Sequence, residues 1–230
     1  MTDIEQIIGL LNLCSPAQRQ EIFRRLRAEF PIHPLEVELN ISAEIVLEAI
    51  HRAGGLTLRM IRGVIAEAAF AIEVVERLAG WRNVKPPGDL PYDFQLDDGQ
   101  GVVRVQVKLQ RSLAHRPMWA QEAYRFLPAN MYVVETQKTR KGSHKKTGSS
   151  TRPYRFGEFD LLAVAMYPST QRWDIFMYTV TEWLLPGRTE SSELLKFQPV
   201  ATVPDNDWTD DFHLAVKWLR SGLKKKICAR

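Results

Sequence analysis

The sequence predicts an α/β protein in which a layer of β-sheet lies between helices. Residues 92–109 have the pattern of an antiparallel β-hairpin, and residues 159–167 and 173–180 are two further apolar strands. Amphipathic helical segments stand before and after these strands. Strands and helices in this order bury their apolar faces by packing as a sheet with helices on both sides.

The composition is that of a globular protein, with 45% apolar and 25% charged residues in a chain of 230. No apolar run approaches the roughly 20 residues that a membrane-spanning helix needs. The first residues carry acids where a signal peptide has a basic region, so we expect a cytoplasmic location and no membrane association. Cys14 and Cys228 lie near opposite ends, and we expect both thiols to be reduced.

Residues 1–56 are expected to form a helical N-terminal region, and residues 57–230 the main domain. Residues 3–13 and 16–30 have amphipathic patterns, and Ser15-Pro16 provides an N-cap followed by proline at the first helical position. Pro31 and Pro34 are expected to interrupt the helices, and a further helix is expected from Ser42 to about Ala53.

A long helix is predicted from Thr57 to Gly80. Its apolar residues cover more than one stripe, so we expect it to be largely buried. Glu67 lies among alanines in this helix, where a carboxylate is either on a narrow polar face or held by a partner.

The hairpin has a first strand over residues 92–96, a glycine-containing turn over 97–101 and a second strand over 102–109. Alternate residues of the second strand face opposite sides. One side is apolar and is expected to enter the core: Val103, Val105, Val107 and Leu109. The other side is polar: Arg104, Gln106, Lys108 and Gln110.

Asp93 on the first strand is expected to lie beside Gln106 and Lys108 on the second. A carboxylate and an amide oxygen can share a hard cation such as Mg²⁺, and a nearby ammonium can orient a water on that cation. The alternative is a half-exposed strand whose polar residues simply face solvent.

These residues resemble the PD-(D/E)XK nuclease superfamily in the variant that has glutamine at the acidic position. Asp93, a short hairpin and Gln106-Val107-Lys108 follow in the family's order, preceded by Glu67 on a helix and by the Gly80-Trp81 turn. The superfamily includes restriction endonucleases, Holliday-junction resolvases and repair nucleases. The resemblance implies a restriction-endonuclease-like fold, with a mixed central β-sheet flanked by helices.

The resemblance also implies a catalytic set of Asp93, Gln106, Lys108 and Glu67. Mg²⁺, or Mn²⁺ in its place, would be held by Asp93, Gln106, the backbone carbonyl of Val107 and Glu67. The reaction implied is hydrolysis of DNA phosphodiester bonds to 5′-phosphate and 3′-hydroxyl ends.

A basic interval follows the predicted strand at residues 131–136, which we expect to be central in the sheet. No acidic residue occurs between Glu135 and Glu158, and we expect a DNA-binding loop over residues 137–155. Its alternative is a solvated loop without a partner. The expected DNA contacts are Gln110, Arg111, Thr136, Gln137, Lys138, Thr139, Arg140, Lys141, Lys145, Lys146 and Arg152.

The remaining segments carry little chemistry. Glu158 and Asp160 form a second acidic pair, which we interpret as structural or as a support for the site residues, because no lysine follows at short spacing. Residues 188–208 are expected to be irregular, and a final helix is expected to begin near Thr209.

Three functions remain open from the sequence. The first is a type II restriction endonuclease, from a restriction–modification pair, that acts on double-stranded DNA as a homodimer matched to a palindromic site. The second is a structure-specific or repair nuclease of the same superfamily. The third is a DNA-binding protein whose site is catalytically degenerate. The N-terminal region could serve in core packing, dimerisation or DNA contact.

Replacing Lys145 and Lys146 by alanine is expected to weaken binding to a DNA duplex. Each lost phosphate contact lowers the slope of log affinity against log salt by about 0.9, so the double variant should lose roughly two units of slope. Fluorescence anisotropy over a salt series measures this slope. An unchanged slope would remove both lysines from the interface.

Overall fold

The computed structural model describes residues 2–31, 33–138 and 153–227. The chain divides into two compact units, Met1–Leu58 and Arg59–Arg230.

The first unit is helical. Thr2 and Ser15 cap the first two helices, each through a capping box with the side chain three residues on. Pro34 begins a short third helix, which was not predicted, because proline at the first helical position loses no hydrogen bond. No described residue of these helices is buried. The helices are α1 (Asp3–Leu13), α2 (Pro16–Glu29), α3 (Pro34–Leu39) and α4 (Ala43–Arg52), and α5 (Gly55–Glu73) begins within this unit.

The second unit is built on a five-stranded mixed sheet with the strand order β1-β2-β3-β7-β8. Its one parallel pair is β3 with β7, and the other neighbours are antiparallel. Two further two-stranded ladders, β4-β5 and β6-β9, lie outside this sheet. The strands are β1 (Arg82–Asn83), β2 (Phe94–Asp97), β3 (Val102–Leu109), β4 (Ser112–Leu113), β5 (Arg116–Pro117), β6 (Tyr132–Glu135), β7 (Leu161–Ala165), β8 (Phe176–Val180) and β9 (Phe197–Val200).

Helices pack on this sheet. α5 continues to Glu73, and α6 (Ala120–Ala123), α7 (Tyr167–Thr170) and α8 (Phe212–Arg220) follow, with 3₁₀ turns at Val75–Arg77 and Thr181–Trp183. Asp211 caps α8 by accepting hydrogen bonds from the N–H groups of His213 and Leu214. The prediction of a mixed α/β fold with a central sheet, flanking helices and a helical N-terminal region is confirmed.

Phe70 of α5 anchors the core between helices and sheet. Its side chain is fully buried, and its ring packs on Phe94 of β2 and Phe176 of β8, with centroids 5.0 and 5.4 Å away. Phe212 of α8 contacts the same ring at 6.3 Å. Aromatic pairs in these tilted geometries stabilise a core beyond the area they bury. The cluster fixes α5, and with it Glu67, against the sheet.

The predicted long helix from Thr57 to Gly80 is wrong in length and in burial. The α-helix ends at Glu73, and Ala66 and Phe70 are buried while Val64 remains 62% exposed and Ile72 53% exposed. Ala66 and Phe70 are four residues apart and so share one face, which is the face that packs on the sheet. No helix in the described part of the chain is long and apolar enough to cross a membrane.

Two predictions about strands are also wrong. The run at residues 131–136 forms β6 but is not central, because it pairs with β9 in a separate ladder. Residues 188–208 are not wholly irregular, since they contain β9. A β-branched run predicts a strand but does not identify its partner.

Candidate functional site

The β2–β3 hairpin places Asp93 opposite Gln106. Asp97 and Asp98 accept hydrogen bonds from the N–H groups of Gly99 and Gln100, and Gly99 has a φ of 82°, which closes the turn. The register pairs Phe94 with Val105, so Asp93 stands just before β2 at the level of Gln106.

The carboxylate of Asp93 joins the two strands. Its Oδ2 accepts a hydrogen bond from Gln106 Nε2 at 2.5 Å and another from the backbone N–H of Val107 at 2.8 Å. Gln106 Nε2 also donates to the carbonyl oxygen of Val107, at 3.1 Å. Gln106 is 2% exposed, so the alternative in which this polar residue faces solvent is wrong. Its amide nitrogen is instead directed at a carboxylate inside the protein.

Two half-buried carboxylates, those of Asp93 and Glu67, lie within electrostatic reach at this place. Burial raises the pKa of Asp93, against the opposing effects of the Lys108 ammonium, the Val107 N–H and the Lys85 ammonium. Burial also raises the pKa of Glu67, and the charge of Asp93 raises it further. α5 and the hairpin therefore bring two partly desolvated carboxylates, those of Glu67 and Asp93, close to each other.

Lys108 supplies positive charge to the same place. Burial lowers the pKa of its ammonium, and the charges of Asp93, Glu67 and Glu135 oppose that shift. Among the described residues its ammonium forms no salt bridge, and it lies 5.1 Å from the centre of the Tyr154 ring. The amine is directed toward the acidic residues and the ring.

Sequence reasoning missed Lys85 and Tyr154. Lys85 follows β1 and acts electrostatically on both Asp93 and Glu67, but its proline-rich surroundings contain no periodic signal. Tyr154 stands at the end of the basic interval, where an aromatic residue among Lys and Arg was the available signal.

The donors at this site suit a hard cation. Asp93 and Glu67 offer carboxylates, Val107 a carbonyl oxygen and Gln106 an amide, and Mg²⁺ prefers oxygen ligands of these kinds. Within residues 2–31, 33–138 and 153–227 no cluster of three or more His, Cys, Asp or Glu could hold a metal. A cation would therefore depend on the amide and the carbonyl as well as the acids. To bind that cation, Gln106 would have to present its amide oxygen at the position where its Nε2 contacts Asp93. A half-turn of the amide about the Cγ–Cδ bond exchanges the two atoms.

The expected DNA contacts have different placements. Gln110 and Thr136 are buried, at 1% and 0% exposure, and they bond to the backbone of Ser169 and Leu195. Because these side chains lie inside the protein, they are not placed to contact DNA as expected. Arg111 lies 3.2 Å from Glu135 in a salt bridge.

The two ends of the basic interval lie next to each other. Gln137 forms an antiparallel bridge with Pro153, and Lys138 Nζ lies 2.7 Å from Glu158 Oε1. The remaining expected contacts lie outside the described residues: Thr139, Arg140, Lys141, Lys145, Lys146 and Arg152.

The second acidic pair has structural partners. Asp160 forms a salt bridge with Arg104 at 2.7 Å and accepts a hydrogen bond from the Arg104 backbone N–H at 2.8 Å. Glu158 pairs with Lys138. These contacts fit the interpretation that Glu158 and Asp160 stabilise the fold.

No protein-family model matches the chain, and no curated protein matches it in sequence. A bacterial homing endonuclease, I-Ssp6803I, superposes with a TM-score of 0.43 at 20% sequence identity, covering 74% of this chain and 98% of that one. A similarity of this size carries no argument about function.

Replacing Asp93 by asparagine is expected to raise the melting temperature at pH 7. The raised pKa means that the folded protein binds the Asp93 proton more tightly than the unfolded chain, so stability falls as pH rises above the ordinary pKa. Asparagine keeps an oxygen for the Gln106 and Val107 hydrogen bonds and carries no charge. The advantage of the variant should disappear below the ordinary pKa of 3.8, which thermal unfolding over a pH series measures.

Asp98→Asn is the matched control with the opposite sign. The Arg220 guanidinium lowers the pKa of Asp98 to about 2, so this carboxylate stabilises the folded state above its ordinary pKa. Its variant should be less stable at pH 7, with the difference shrinking as the pH falls toward 2. A melting temperature of Asp93→Asn below that of the wild type at pH 7 would contradict the buried-charge interpretation.

Proposed function

We propose that the chain is a Mg²⁺-dependent endonuclease that hydrolyses double-stranded DNA to 5′-phosphate and 3′-hydroxyl ends, as type II restriction enzymes do. The observation that carries the proposal is the meeting of the Asp93 carboxylate with the Gln106 amide and the Val107 backbone. Lys108, on the same strand as Gln106, acts electrostatically on that carboxylate, and the carboxylate acts in turn on Glu67 of α5.

The cation would be held by Asp93, the Val107 carbonyl and the Gln106 amide oxygen, with Glu67 binding it directly or through a water. When bound, Mg²⁺ neutralises charge on a phosphate and lowers the pKa of a coordinated water. The remaining roles fall to side chains of this chain. Asp93 and Glu67 would bind positive charge here, because burial raises the pKa of both carboxylates and the charge of Asp93 raises that of Glu67 further.

Lys108 would orient the attacking water and stabilise charge that develops on the phosphate. A preorganised ammonium in a partly desolvated site is effective in this role because its charge is poorly screened. The lowered pKa of Lys108 also leaves a larger fraction of this amine unprotonated than in a lysine in solvent, and only the unprotonated amine can accept a proton.

The basic interval supports DNA as the substrate. Residues 136–157 contain seven Lys and Arg and no acid, and both ends of the interval lie beside the site through Lys138 and Tyr154. Positive charge in that place would neutralise backbone phosphates next to the reactive groups. A homodimer would match such a site to a palindromic sequence.

One observation favours a second candidate, a DNA-binding protein without catalysis. Gln106 already satisfies Asp93 by donating a hydrogen bond, so the carboxylate is stabilised without a cation. In that case the same contact would serve only to join β2 and β3.

Asp93→Ala and Lys108→Ala are each expected to lower plasmid cleavage about 100-fold or more in the presence of Mg²⁺, because the first removes a carboxylate that would hold the cation and the second removes the ammonium that would orient the attacking water. Both should bind a fluorescent duplex nearly as well as the wild type, since neither provides the bulk of the phosphate contacts.

Lys217→Ala is the matched control for charge, because Lys217 is exposed on α8 and contacts no residue of the site. It should cleave at the wild-type rate. Discrete wild-type bands that vanish with EDTA support a site-specific nuclease, whereas a wild type that binds but leaves DNA intact with Mg²⁺ or Mn²⁺ favours the second candidate. Wild-type rates in Asp93→Ala or Lys108→Ala would refute the assigned roles.

A further inference from the structure

Tyr154 contacts the ammonium groups of two lysines at the candidate site. Lys108 Nζ lies 5.1 Å from the centre of its ring and Lys138 Nζ lies 5.2 Å from it. Tyr154 is 5% exposed, so these contacts are largely shielded from water. An ammonium within about 6 Å of a ring centre is attracted by the ring's negative face, and more strongly when both are desolvated.

The ring itself is held in place by neighbours other than the lysines. The ring of Phe159 meets it edge-on, with centroids 5.3 Å apart and an interplanar angle of 88°. The Tyr154 carbonyl accepts a hydrogen bond from the Leu194 N–H at 2.7 Å, and the preceding Pro153 bridges to Gln137. A ring fixed at its edge and its backbone is a rigid surface for a flexible side chain.

Lys108 needs such a surface. Its four-carbon stem is flexible, and among the described residues its ammonium has no salt-bridge partner to fix it. The phenol of Tyr154 supplies no anion, because burial and the charge of Asp93 raise its pKa and keep it protonated. The contact between Lys108 and Tyr154 is therefore one of ammonium and aromatic face.

Lys138 completes the arrangement from the other side of the basic interval. Its ammonium pairs with Glu158 Oε1, and Glu158 Oε2 accepts a hydrogen bond from the Arg155 N–H at 2.9 Å. The carboxylate of Glu158 compensates the second positive charge at the ring, so the two ammonium groups can share one aromatic residue.

We propose that Tyr154 is a positioning residue that uses its aromatic ring to hold the Lys108 ammonium beside Asp93. The inference rests on the proposed nuclease function and deepens it, because it assigns the placement of the site's amine to the end of the basic interval. Tyr154 acts through Lys108 and does not itself contact the reacting atoms.

The test compares Tyr154→Leu with Tyr154→Phe. The leucine variant loses the ring and should lower kcat for plasmid cleavage about 3- to 30-fold, the range that a shielded ammonium–ring contact provides. Its KM for DNA should stay within about twofold, because Tyr154 adds no phosphate contact. Phenylalanine keeps the ring and should restore kcat to within about twofold of the wild type.

Phe159→Leu is the matched control, since it removes a ring of similar size from the same buried contact without touching either lysine. It should lower the melting temperature about as much as Tyr154→Leu but lower kcat clearly less, because Tyr154 keeps its ring and the backbone contacts that hold it. Tyr154→Met, with a flexible side chain that refills the space, repeats the ring deletion if the leucine variant does not fold.

Each other outcome overturns the proposal. Equal losses of kcat in Tyr154→Leu and Phe159→Leu would show a purely structural role, and a Tyr154→Phe variant as poor as Tyr154→Leu would transfer the role to the hydroxyl. A wild type that cleaves while Tyr154→Leu and Tyr154→Met match it would end the inference and leave the nuclease function standing. A wild type that cleaves no DNA would overturn both.

Discussion

The hydrogen bonds of one carboxylate hold the candidate site together. Asp93 lies just before β2 and bonds to the side chain of Gln106 and to the backbone of Val107, so it fixes the start of one strand against the middle of the next. A half-buried carboxylate without such donors would cost several kcal/mol, and the two donors offset much of that cost. Because β3 also pairs in parallel with β7, the carboxylate is tied to the centre of the sheet. Its position is accordingly rigid.

Asp93 remains electrostatically unfavourable despite those donors. Burial raises its pKa and that of Glu67, while Lys85 and Lys108 partly oppose both shifts. Groups with perturbed pKa values that converge from separate elements are typical of functional sites, although structural ion pairs also produce them. Two acidic residues of this chain, Asp160 and Glu67, differ in how they are paired. Asp160 is paired directly with Arg104, as a structural carboxylate is expected to be, whereas Glu67 receives no hydrogen bond from any described residue.

Local signals in the sequence predicted the elements that local chemistry determines. Glycines at 99 and 101 and the alternation of β3 located the hairpin, and Thr209 with the two aspartates after it located the start of α8 to within three residues. The pairing of β6 with β9 was not predictable, because a strand's partner is set by tertiary packing. The contact of Tyr154 with Lys108 was not predictable either, because the two residues are 46 positions apart in the sequence (154 − 108) and meet only in the folded protein. The resemblance indicated which polar residues could form a site. Which of those residues are buried depends on the tertiary fold and could not be predicted from the sequence.

We propose that the contact of Asp93 with Gln106 and Val107 is a site for a divalent cation. The most direct measurement is a Mg²⁺ titration followed by nuclear magnetic resonance of the Gln106 side-chain amide, with Asp93→Asn as the comparison. Binding should release Nε2 from Asp93 and shift the amide signals in a saturable way, and the variant should lose this response. Amide signals of Gln106 that stay unchanged as Mg²⁺ is added to the wild type would contradict the account.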